Sequence, residues 1–158
     1  FALARDGAGR YEHTTHYRVR TLAELDVTAA QKTLVAPNAV SLAQAAYEPL
    51  GRPLGVYAKG EPVGFLLLYD GRHDPDRPGN QLHVWRVMID QRHQHRGFGR
   101  RTVQWVLDEA RRLGYDAVGL SHWQGEGNAG PFYEKLGFQY TGNVNDNERE
   151  MILRLNEN

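Results

Sequence analysis

Near the middle of the chain, the run HQHRGFGRRTVQWVLDEARRLG, from His93 to Gly114, joins a basic, glycine-bearing loop directly to an amphipathic helix. Val103, Val106, Leu107, Ala110 and Leu113 recur at helical spacing on one face, and Gly114 supplies a natural end. No acid stands at the start of this helix, whereas Arg92, Arg96, Arg100 and Arg101 surround it. A helix N-terminus presents unpaired N–H groups and the positive end of the macrodipole. Gly97 and Gly99 let the chain curl there without a Cβ in the way, so several N–H groups can converge on one anion. The run QHRGFG lacks the Lys-Ser/Thr ending of a nucleotide-hydrolysing loop, so neither magnesium nor a γ-phosphate is implied. It also lies mid-domain and not after a first strand, which weakens a dinucleotide reading. Two readings stay open on this feature alone: a diphosphate held mainly by backbone, or a tight turn with no ligand.

The helix needs a sheet to bury its apolar face, and the flanking sequence supplies one. Strands are expected at His16–Leu22, where Tyr17, Val19 and Thr21 alternate with arginines, at Leu54–Ala58, in VGFLLLYD and in LHVWRVMID. Ala23–Ala30 reads as a first helix, and SLAQAAYEP as a second, capped by Ser41 and stopped by Pro49. After Gly114 come the strand YDAVGLS, the short helix NAGPFYEKLG and the strands FQYTG and EMILRL. The pattern is α/β around one mixed sheet. The 158 residues fit one domain, expected over 16–156, with residues 1–15 as a flexible N-terminal extension.

Composition removes several classes of function. Nineteen basic and nineteen acidic residues cancel, which disfavours a nucleic-acid partner. Without cysteine there can be no disulfide, thiol nucleophile or thiolate metal site. The seven histidines are scattered, and no metal is expected. No apolar run reaches membrane-spanning length, and the polar start FALARDGAGRYEHTTH lacks a signal core, so no membrane partner and a cytoplasmic location are the default expectations. A homodimer is compatible with these features.

Two segments resemble the GNAT superfamily of N-acetyltransferases. The acetyl-CoA signature Gln/Arg-x-x-Gly-x-Gly/Ala is matched by Gln94, Gly97 and Gly99, and downstream FYEKLGF, Phe132 to Phe138, resembles the family's tyrosine-bearing short helix before a Gly-Phe pair. The resemblance covers residues 16 to 156. In texture, VAPNAVSLAQAAYEP, EPVGFLLLYD, WRVMID and GEGNAGPFYEKLGF are similar to the bacterial diamine (spermine/spermidine) N-acetyltransferase branch. The resemblance implies one domain with a central mixed, mostly antiparallel twisted sheet of about seven strands, helices on both faces, and a splay in the middle that admits the pantetheine arm. It departs from the family at Glu126, where many members carry asparagine; Asn128 follows two residues on, and either could face the cofactor.

The implied activity is acetyl transfer from acetyl-CoA to a primary amine, most naturally a small polyamine or diamine, by direct attack. Backbone groups of Val87, Met88 and Ile89 would pair with the pantetheine arm. Gln94, His95, Arg96, Gly97, Phe98, Gly99 and Arg100 would hold the pyrophosphate, with Asn128 and Tyr133 also against the cofactor. Tyr133 would be the general acid, since a phenol near pKa ~10 can protonate an alkyl thiolate. An alkylamine near pKa ~10.4 is held as free amine at neutral pH only at a cost of roughly 4 to 5 kcal/mol, so a base is needed. His83 and Glu126 are the candidates. Tyr47, Glu48, Asp70, Glu126 and Glu150 are candidates for binding a cationic acceptor, and Asp146 and Glu148 are further acids available for it. A protein acetyltransferase acting on lysine or an N-terminus, and a non-catalytic acyl-CoA-binding module, remain as alternatives.

Overall fold

The computed structural model describes residues 2–3, 16–76 and 79–155. Seven strands form one sheet in the order β1-β2-β3-β4-β5-β7-β6: β1 (Ala2–Leu3), β2 (Gly51–Ala58), β3 (Glu61–Asp70), β4 (Gln81–Ile89), β5 (Ala117–Trp123), β6 (Gln139–Asn145) and β7 (Glu148–Arg154). Every neighbouring pair is antiparallel except β4–β5. Four helices pack on this sheet: α1 (His16–Ala23), α2 (Asn38–Tyr47), α3 (Phe98–Arg112) and α4 (Gly130–Glu134).

The near-continuous apolar run of β3 is buried on both sides, and its alternation divides the core in two. Leu66 and Leu68 join Leu82 and Val84 of β4 beneath α3 and α4, where Val103, Val106, Leu107 and Ala110 meet Tyr133 and Phe138. Phe65 and Leu67 point the other way, into a smaller cluster with Leu22, Leu25, Val27 and Met88. Helices therefore cover both faces.

The N-terminal third differs from the sequence expectation. His16–Ala23 is helix, not strand. The alternation there had the period of a strand, but Leu22, fully buried, and Leu25 behind it need a three-residue spacing to reach the same cluster. The expected helix over Ala23–Ala30 is a loop with one 3-10 turn at Ala29–Gln31. Its backbone is held open by tertiary bonds: Asp26 N–H donates to the Asp90 carboxylate at 3.0 Å, and Asp26 accepts from Gln91 N at 2.8 Å. The second helix starts at Asn38, one turn before Ser41. Asn38 is buried and ties that first turn to α1 by donating to Leu22 O at 2.8 Å.

Candidate active site

The sheet opens at one place. Strand β4 pairs with β3 up to Leu68↔Val84 and resumes at Leu67↔Arg86, so Trp85 is an extra residue in a bulge. The bulge reverses the side-chain alternation: Leu82 and Val84 face the α3 side before it, Val87 and Ile89 after it, while Trp85 and Met88 face α1 and α2. Across the other edge, the parallel pairing with β5 ends at Val84↔Leu120, although both strands continue. From Trp85 to Ile89, β4 thus presents an edge with no β5 partner, facing a 180 Å³ cavity lined by Val87, Met88, Gln94, Ser121, His122 and Tyr133 among others.

Tyr133 reaches this cavity from α4, a single turn begun by Gly130 and Pro131. Its ring is fixed edge-on between Phe132 at 5.1 Å and Phe138 at 5.7 Å. The residue is 6 % exposed, and burial pushes its phenol well above the ordinary value. Asn128 holds the turn that precedes α4: its Nδ2 donates to Gly125 O at 2.7 Å and its Oδ1 accepts from Gly130 N at 2.9 Å. Asn128 lines the cavity, whereas Glu126 is exposed and lines neither this cavity nor the groove described below. Next to α4, His122 Nδ1 lies 3.0 Å from Trp123 O, so this nitrogen carries the proton; in the neutral ring Nε2 then accepts from Tyr140 Oη at 3.2 Å.

The glycine loop closes one end. Gly97 is the N-cap of α3 at φ 80°, with no side-chain cap and no acid in the first turn, so the first N–H groups keep their hydrogen-bonding capacity. A Cβ at Gly97 would meet no atom within 4 Å, and at Gly99 only ordinary contacts with Phe132 and Ile89. His95, also at positive φ, Arg96 and Arg100 are exposed around it, and Phe98 is buried as the anchor. Gln94 turns inward, its Nε2 donating to Gln31 Oε1 at 2.8 Å and to Ile89 O at 3.0 Å. Asp90, 2 % exposed, accepts from Arg92 Nε at 2.7 Å and from the N–H groups of Arg92 and Asp26. Burial opposes its charge, but these bonds outweigh burial and hold its carboxyl below the usual range. Orphan N–H groups, clear space over Gly97 and an unpaired strand edge together suit a diphosphate followed by an extended, amide-bearing arm.

On the α1/α2 side of the sheet lies a second, 600 Å³ groove, lined by Tyr69, Asp76, His83, Thr141, Glu148 and Glu150 among others. His83 sits in register with Tyr69 and Gly119, in this groove and not in the cavity beside Tyr133. Tyr47, 91 % exposed, Glu48, which accepts from Leu50 N, and Asp70, bound by Arg72 at 3.1 Å, line neither space. Ser121 and Glu148 line both, and mark where groove and cavity meet.

Arg86 lines the cavity but not the groove. Its Nη1 donates to Trp85 O at 2.7 Å, and its Nε is buried with no hydrogen-bond partner. Burial lowers its pKa, and the charge of Glu148 opposes that shift. Sequence reasoning passed over Arg86, Ser121 and His122 as site residues, and reached Glu148 only as one of several available acids. Two signals were present: a cation inside the apolar strand LHVWRVMID, and acids two apart in NEREMIL, which share one face of a strand. Among the described residues no cluster of three or more His, Asp or Glu could hold a metal ion, and no helix is long and apolar enough to cross a membrane.

A sheet splayed beside a bulge, a glycine-started helix and a buried tyrosine on a following short helix define an acyl-CoA-dependent N-acetyltransferase, with acetyl-CoA as cosubstrate. The chain belongs to the acetyltransferase (GNAT) family, whose model matches residues 17–138. It is similar to the spermine/spermidine N(1)-acetyltransferase of Bacillus subtilis (strain 168), at 25 % identity over 135 residues, covering 83 % of this chain and 88 % of the relative. Its fold is similar to that of an aminoglycoside 6'-N-acetyltransferase crystallised with coenzyme A, with a TM-score of 0.73 at 13 % identity over 100 % of this chain and 99 % of the other. It is also similar to the ribosomal-protein-S18-alanine N-acetyltransferase of Escherichia coli, with a TM-score of 0.67 at 14 % identity, covering 93 % and 94 %.

Proposed function

We propose that the protein acetylates the primary amine of a small cationic acceptor, a diamine or polyamine, by direct attack on the thioester. One observation carries this: the cavity beside Tyr133 meets an acid-bearing groove at Ser121 and Glu148, on the opposite side of the sheet from α3. The name of the Bacillus subtilis relative points to the same acceptor class.

Acetyl-CoA supplies an activated acetyl thioester. Residues 94–100 hold its pyrophosphate on the backbone N–H groups that begin α3, and Val87, Met88 and Ile89 pair with the arm as an added strand would. N–H groups of the same β4 edge polarise the thioester carbonyl. The acceptor enters by the groove. Two protons leave its ammonium in the whole reaction: one ends on sulfur and the other in solvent, through the open groove. Tyr133 donates the proton that sulfur takes as the C–S bond breaks. Its raised pKa keeps the phenol protonated at any working pH. The same burial raises the basicity of the departing thiolate, so donor and acceptor stay matched.

Release of free thiol from acetyl-CoA, followed with a panel of amines and peptides, tests the reading. Turnover with diamines or spermidine is expected. Turnover with peptides alone would replace the acceptor class, and tight acetyl-CoA binding with no turnover on any amine would overturn the catalytic reading.

A further inference from the structure

Glu148 and Glu150 are two residues apart on β7, so both side chains leave the same face of the sheet, and both line the groove. Their roles in it differ. Glu150 is anchored through one oxygen: Oε2 accepts from Thr141 Oγ1 and from Asn143 Nδ2, both at 2.7 Å. Its Oε1 takes part in neither bond. Glu148 begins the strand, opposite Trp123 of β5, and lines the cavity of Tyr133 as well as the groove. The half-buried guanidinium of Arg86 lies within its electrostatic reach.

We propose that Glu148 and Glu150 form a two-point ruler for α,ω-diamines, with Glu148 receiving the nitrogen that is acetylated and Glu150 the one that stays charged. The inference rests on the amine-acetyltransferase reading above and specifies its acceptor. A strand rises about 3.3 Å per residue, so the two Cα atoms are about 6.6 Å apart. A diamine with four methylenes has five bonds of about 1.5 Å between its nitrogens, which in a zigzag span about 6 Å; three methylenes span about 5 Å. Both are of the order of the separation between the two Cα atoms.

Arg86 gives the ruler its direction. A nitrogen must be uncharged to attack, and a nearby like charge favours the uncharged form of an amine. The charge of Arg86 offsets the hold of Glu148 on that proton, so this end loses it more easily than the end held by Glu150. At Glu150 the remaining carboxylate oxygen holds an ammonium in its charged form. One nitrogen is thus made reactive while the other anchors.

The test is a ratio: kcat/KM for 1,4-diaminobutane over kcat/KM for 1-aminobutane, in the wild type and in E150Q. Both substrates present the same reacting end, and the ratio does not depend on how much of a variant folds. The wild type should favour the diamine by tenfold or more, with an optimum at three to four methylenes along a diamine series. E150Q should collapse that ratio at least tenfold, mainly through KM. E150D, which withdraws the carboxylate by one methylene, should move the optimum to a longer diamine. A wild-type ratio near one, or an E150Q ratio equal to that of the wild type, overturns the ruler and leaves amine acetylation standing. Failure of the wild type to turn over any amine overturns both.

Discussion

Tyr133 unites packing and chemistry in one side chain. Its ring closes the core under α4 and its hydroxyl meets the cavity, so substitutions can separate the two tasks. Tyr133→Phe keeps the ring between Phe132 and Phe138 and removes only the proton. Acetyl-CoA affinity should barely change, while the single-turnover rate falls about 10²-fold or more, the usual range for a lost general acid. The pH dependence follows from the direction of the shift. With the phenol held above its ordinary value near 10, wild-type activity should climb as the amine loses its proton and show no descending limb from Tyr133 below about pH 10. A descending limb centred between pH 8 and 9 that disappears in Tyr133→Phe would contradict the burial seen here. Near-normal turnover by the variant would reduce Tyr133 to a packing residue.

The elements nearest the site were the ones best read from sequence, because local and tertiary demands agree there. The face of Val103, Val106, Leu107 and Ala110 requires a helix and receives one, and FYEKLGF places Tyr133 and Phe138 in the core. The N-terminal third was misread because its backbone is set by distant partners: Asn38 and Leu22, sixteen residues apart, and Asp26 and Asp90, sixty-four apart. No local periodicity encodes such bonds. Asp90 tests how much they hold. Asp90→Asn leaves the N–H groups of Asp26 and Arg92 to share a neutral acceptor, at a cost of about 1 to 3 kcal/mol near pH 7 by urea denaturation. Because the folded carboxyl lies below its unfolded value near 3.9, wild-type Asp90 stabilises the fold above that pH and ceases to as pH falls through the depressed value. The gap between the two proteins should therefore narrow below about pH 4. Glycines offer a second contrast. A Cβ at Gly130 would collide with Tyr140 Oη and lie 2.9 Å from Asn128 Oδ1, so Gly130→Ala should destabilise the α4 turn by about 1 to 3 kcal/mol. Gly97→Ala meets open space and bears only the strain of positive φ, about 1 to 2 kcal/mol, yet it should weaken acetyl-CoA binding more than Gly130→Ala does, as calorimetry would read.

At the scale of the whole molecule, the site is where three stretches distant in sequence meet: the bulged end of β4, the segment after β5 that carries Asn128 and Tyr133, and the 26–36 loop beneath α2. The first two carry recognisable motifs. The third does not, since Val27, Gln31 and Val35 line the cavity through a loop whose shape depends on the first. The same dependence explains why Glu148 stands apart from the other acids only in the fold: its importance lies in standing where cavity and groove join, which no spacing along the chain reports. The loop and the cofactor segment are stitched by Asp26 N to Asp90, Gln91 N to Asp26 O, and Gln94 to Gln31. Whatever immobilises residues 94–100 should therefore also order residues 26–31, which line the cavity of Tyr133 through Val27 and Gln31. Hydrogen exchange measured with and without coenzyme A should show slowing at both segments, although only the first would contact the pyrophosphate. In Gln94→Ala, which removes one of the three stitches, protection of residues 98–102 should persist while that of 26–31 diminishes. The acceptor should then bind more weakly to the variant even when acetyl-CoA is saturating, seen as a higher KM for the amine with KM for acetyl-CoA little altered. Protection confined to the glycine loop in the wild type would show that the stitches transmit nothing, and that the two substrates bind independently.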